Sequence, residues 1–166
     1  LTGRLLIAGG AMGHAVGKQP WDVPGDVNQV QLPPVAQNTT PVVLVRSVPH
    51  GTAWPRLGAI CENASKLGYT PHLVVPVRHK AAIEASQKTR FVHPVEVEKQ
   101  YRWIMTEIVT NNLPFTLAVF ESFVVGHLAA LNAFLTDLGL QPVERLLEAF
   151  SDTNRKYFYP EAGSPA

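Results

Sequence analysis

Polar and basic residues cluster at two points of this chain, each directly after a short apolar run. Arg46, Ser47, His50 and Thr52 follow Val42–Val45, and Arg78, His79 and Lys80 follow His72–Val77. If the two runs are neighbouring parallel strands, these residues meet at one rim, joined by His93 after a third run at Arg90–Val92. Ligands in α/β folds usually sit outside the carboxyl ends of the strands. A helix starting near Ala53 would aim free N–H groups at the same rim, which suits a phosphate, a carboxylate or a nucleic-acid backbone. His50, His79 or His93 could act there as acid or base near neutral pH, and Ser47 is a conceivable nucleophile. The bland alternative is a polar loop edge with Thr52 capping its helix.

Other candidates for chemistry are weaker. Six histidines (14, 50, 72, 79, 93 and 127) include no pair at helical metal-ligand spacing, and there is one cysteine, so neither a metal nor a cofactor is implied. Gly9-Gly10-Ala11-Met12-Gly13 follows an apolar run but lacks the G-x-G-x-x-G spacing, and Pro20 and Pro24 oppose a following helix. Glu96 and Glu98 beside Lys99 lack the spacing of a metal-dependent nuclease, and the two carboxylates are placed to complement a helix start. Arg155-Lys156-Tyr157-Phe158-Tyr159 could stack on bases or dock its rings on the core. No P-loop, nucleophile elbow, H-E-x-x-H or C-x-x-C occurs.

The elements that must position these residues follow from periodicity. Val42–Val45 and His72–Val77 read as buried strands. Leu57, Ile60, Cys61, Ala64 and Leu67 recur at helical spacing, predicting a helix over 53–67 with Thr52 as N-cap and Gly68 as left-handed cap. Residues 80–88 predict a short helix. A further helix is expected from Pro94 onward, marked by Val97, Tyr101, Ile104, Met105 and Ile108 and broken at Asn111–Pro114. Leu117, Phe120, Val124, Leu128, Leu131, Leu135 and Leu138 form one stripe, predicting a long helix over 115–138 that Gly139 ends. The small residues Ala118, Ser122, Gly126, Ala129 and Ala133 on its other side suggest that this helix is sandwiched, either centrally in the core or at a subunit interface. Glu121, His127 and Asn132 within it argue against membrane insertion. Pro142–Phe150 predicts a short amphipathic helix.

The expected fold is therefore α/β: a small, mainly parallel sheet flanked by helices, with a helical C-terminal half and an extended N-terminal arm. Residues 1–41 read as an apolar segment and a Pro-rich arm, in which Trp21 is expected to dock on a surface, and 42–166 as one α/β domain.

Composition sets the functional expectation. Hydrophobic residues make up 46% of the 166 and charged residues 16%, well under the usual quarter, so much surface is hidden in a core or against a partner. Residues 1–92 hold nine Lys/Arg against four Asp/Glu, and 93–166 hold five against nine. This split suits an anionic ligand on the first half or head-to-tail contact between copies. The reading that follows is a non-catalytic binding or assembly module, with a basic anion-binding rim and a self-association surface. Its partners would be a second copy or another protein, and a phosphate or nucleic acid. The alternative is an enzyme acting on a small phosphorylated or carboxylated substrate at the same rim.

Overall fold

The computed structural model describes residues 6–13, 22, 23, 25–35, 40–49, 52–88 and 96–145. Six strands and four complete helices occur among them, beside helical residues 6–8. They are β1 (Met12–Gly13), β2 (Asp22–Val23), β3 (Asp26–Val30), β4 (Val42–Val43), α1 (Leu57–Lys66), β5 (Leu73–Val77), α2 (Lys80–Lys88), α3 (Val97–Thr110), β6 (Phe115–Val119) and α4 (Phe120–Asp137). His14, Trp21, His50, His93, the expected strand at 90–92 and the tail at 155–159 lie outside the described residues, as does 146–150 of the expected helix at 142–150.

The class is α/β, with small parallel ladders between flanking helices. β1 pairs with β4 in parallel, β5 pairs with β6 in parallel, and β2 and β3 form an antiparallel hairpin. The expected side-by-side pairing of the two strands that precede the basic residues does not form: β4 takes β1 as its partner and β5 takes β6. Pro76 supplies the physical reason. Leu73 donates its N–H to Pro114, toward β6. By the two-residue alternation of a strand, Val75 and Val77 also turn to β6, while Val74 and Pro76 turn the other way. On that edge Pro76 has no N–H to offer, and its carbonyl accepts from the Tyr101 hydroxyl at 2.9 Å. A proline so placed ends a sheet.

The two faces of the β5–β6 ladder contribute to different cores. Val74 and Ala118 pack into a cluster with Leu6, Val43, Phe123, Leu131 and Leu135. Leu131 and Leu135 are completely buried, each worth about 1.5–3 kcal/mol of apolar burial. Leu73 packs on the other side with Val30, Leu57, Ile60 and Ile104.

The helix ends follow local chemistry. After α1, Gly68 (φ +88°) takes the left-handed cap expected of it, with Gly68 N–H bound to Ser65 and Tyr69 N–H to Ala64. Asn112 (φ +49°) does the same after α3, and Gly139 after α4. The start of α1 differs from expectation. Thr52 is exposed and does not cap it; Arg56 is the N-cap residue, in extended conformation. Pro55, which is buried, disfavours helical backbone at Trp54 before it, and the helix begins two residues after Pro55. The arm supplies the cap instead: Asn28 on β3 accepts the Arg56 N–H at 2.7 Å. The arm is thus less irregular than expected, because its valines form a hairpin whose Val30 is buried on α1.

The long helix expected over 115–138 is two structures. Phe115–Val119 is a strand, and α4 starts at Phe120. A short apolar run of aromatic, β-branched and aliphatic residues satisfies both periods, and pairing with β5 decides in favour of the strand. α4 itself kinks at His127, where φ is +47° and ψ −139°. Phe123 and Phe134 meet across the kink with ring centroids 5.2 Å apart. The small side is not sandwiched within this chain's core, since Ser122, Gly126, Ala129 and Ala133 are exposed. No helix among the described residues is long and apolar enough to cross a membrane.

Candidate functional site

The end of β5 gathers three of the expected rim residues, Arg78, His79 and Lys80, and carboxylates come with them. Arg78 is half-buried, with its guanidinium 5.5 Å from the centre of the Phe120 ring. The His79 N–H, at the start of α2, donates to Glu121 at 2.9 Å. Lys80 pairs with Glu98 at 2.5 Å and with Glu84 at 3.8 Å. The hydrogen bond and charge of Glu98 hold the Lys80 ammonium above its ordinary value, and Lys80 holds the Glu98 carboxyl below its own. Tyr101, against the same strand end, has its phenol pushed up by burial.

A matching arrangement serves α1. Its Gly58 N–H donates to the Glu107 carboxylate at 3.2 Å. A Cβ on residue 58 would lie 2.5 Å from the Asn111 side chain, so glycine there lets the end of α3 approach closely. The dipole end of α1, expected to face a ligand anion, thus faces Glu107, and that of α2 faces Glu121. Sequence reasoning missed both roles. Glu121 was visible as a polar break in an apolar stretch, whereas no local pattern marks Glu107.

Arg46 is half-buried and Ser47 exposed, both past β4. Arg46 lines an apolar cavity of about 230 Å³ between residues 42–46 and β5, with His72 among the other lining residues. His72 also contacts the Thr116 hydroxyl through Nε2 at 2.8 Å. Of the three histidines expected to meet, only His79 is described, and it is exposed. No group of three His, Cys, Asp or Glu that could hold a metal ion occurs among the described residues.

The third notable surface is on β6. Register pairs Leu73 with Phe115 and Val75 with Leu117, which puts these four side chains on one face. Val75 is buried there, but Phe115 is 40% exposed and Leu117 46%. No other described strand pairs with the outer edge of β6.

Comparison with family models, with curated proteins and with solved structures finds no match to this chain.

Proposed function

We propose that this chain is a non-catalytic binding or assembly module that self-associates through β6. The observation that carries this reading is Phe115 and Leu117 exposed on a parallel strand. Parallel sheets are ordinarily covered on both faces and at their edges by further strands and helices. On this face Val75 of β5 is buried, whereas Phe115 and Leu117 of β6 stand exposed. A second copy approaching about a two-fold axis sets β6 antiparallel to its mate. The two ladders then join into one four-stranded sheet, with the Leu117 side chains of both copies on one continuous apolar face. An anionic ligand at Arg46, Arg78, His79 and Lys80 is the lesser part of the proposal, because Glu84, Glu98 and Glu121 already meet that rim.

Sedimentation of the wild type and of Leu117→Lys tests it. The wild type is expected to be a dimer, and Leu117→Lys a folded monomer with an unchanged circular dichroism spectrum. A wild type that stays monomeric at high concentration, or a variant that dimerises as before, refutes the reading.

A further inference from the structure

We infer that the cleft between Trp54 and the first turns of α3 is a binding site for a nucleotide, with the base stacked on the Trp54–Trp103 pair and the phosphate on Lys99 and Arg102. The inference does not rest on self-association through β6.

Both rings are held at one point of the backbone. Trp54 directly precedes buried Pro55, and Trp103 on α3 donates its indole N–H to the Pro55 carbonyl at 3.0 Å. The ring centroids lie 5.6 Å apart and the planes are tilted by 59°. A pair fixed before a ligand arrives lowers the ordering cost of binding. Both tryptophans are half-buried rather than sealed in the core. Lys99, which is exposed, holds its ammonium 5.5 Å from the centre of the Trp54 ring, so that face of the ring opens outward.

Size and charge define the occupant. The cleft measures about 440 Å³ and is lined by both tryptophans with Glu96, Glu98, Lys99 and Arg102. That volume lies within the ~300–1,000 Å³ of small-molecule sites. Glu98 is paired with Lys80, which leaves Lys99 and Arg102 against Glu96 among the lining charges. A cationic ligand would meet two like charges, and a neutral aromatic would leave them unused. A nucleotide meets both demands. Every base offers a flat π-face for a tryptophan. Lys99 and Arg102 stand three positions apart and so neighbour each other on α3, where one phosphate can contact both. The exposed contact of Lys99 with Trp54 is a weak one. On binding, the base takes over that ring face and the ammonium turns on its flexible stem to the phosphate.

Calorimetry on the full wild-type chain gives the affinities. Fluorescence of Trp21→Phe, which leaves Trp54 and Trp103 as the two tryptophans, locates the ligand by indole quenching. Thymidine monophosphate is expected to bind and to quench saturably. Thymidine, without the phosphate, and ribose 5-phosphate, without the base, should each bind about tenfold more weakly. Oligothymidylate binding more tightly than the monophosphate identifies the source as single-stranded nucleic acid, and equal affinity identifies a free nucleotide; both support the site. Lys99→Gln and Arg102→Gln, at exposed positions, should each weaken the monophosphate about fivefold and leave thymidine unaffected, whereas Trp54→Leu should weaken both about tenfold. The inference is overturned if thymidine monophosphate does not bind the wild type, if ribose 5-phosphate binds equally well, or if both charge variants bind as the wild type does.

Discussion

Replacing His127 by glycine should stabilise this protein. The residue sits inside α4 at φ +47° and ψ −139°, a region that side chains with a Cβ avoid. Such a conformation costs about 1–3 kcal/mol for a non-glycine residue. Glycine removes that cost but adds about 0.5–1 kcal/mol of backbone entropy to the unfolded chain. His127 is exposed, so losing the imidazole forfeits little packing. The balance is a gain of about 0–2.5 kcal/mol, centred near 1 kcal/mol. For a chain of this size each kcal/mol raises the melting temperature by roughly 2–4 °C. His127→Ala is the control: it removes the ring and keeps the Cβ, so its stability should stay within about 0.5 kcal/mol of wild type. Calorimetry on the three proteins decides the matter. If His127→Gly melts no higher than His127→Ala, the kink is not strained and the reasoning fails.

Glu107→Gln keeps an acceptor for the Gly58 N–H but removes the charge at the start of α1. It should cost about 0.3–1 kcal/mol, and Glu107→Ala, which also strands the N–H, about 1–2 kcal/mol; urea denaturation showing no loss in either variant would refute the role assigned to Glu107. Burial raises the Cys61 thiol above its ordinary value. The folded chain therefore holds that proton to higher pH than the unfolded chain. Its contribution is fully present below the usual thiol pKa of about 8.5 and is lost as pH rises through the folded value. Between pH 8 and 10 the wild type should lose more unfolding free energy than Cys61→Ala. Equal pH slopes would remove the burial argument.

Local chemistry was legible in the residues themselves. Helical spacing marked α1 down to its buried Leu57, Ile60, Cys61 and Ala64. The left-handed cap at Gly68 and the breaks at Asn111–Asn112 and Gly139 were readable because each depends on a few adjacent side chains and one backbone conformation. The α/β class followed from the same short-range patterns. At the rim, composition could place Arg78, His79 and Lys80 after a strand, since all three are neighbours in the chain.

Partner choice was decided only in three dimensions. Phe115–Val119 suits a helix or a strand alone and becomes a strand by pairing with β5. The acids that meet the basic rim are distant in sequence: Glu121 stands 42 positions from His79, and Glu107 stands 49 from Gly58. Periodicity reports which face of an element is apolar, because that face repeats along the chain. It carries no information on which other element covers the face, since that depends on complementary shape and charge between segments that only folding brings together. Pro76 stands between the two cases. Its missing N–H was written in the sequence, but its meaning, an edge that cannot be zipped to β4, required knowing which way the residue turned.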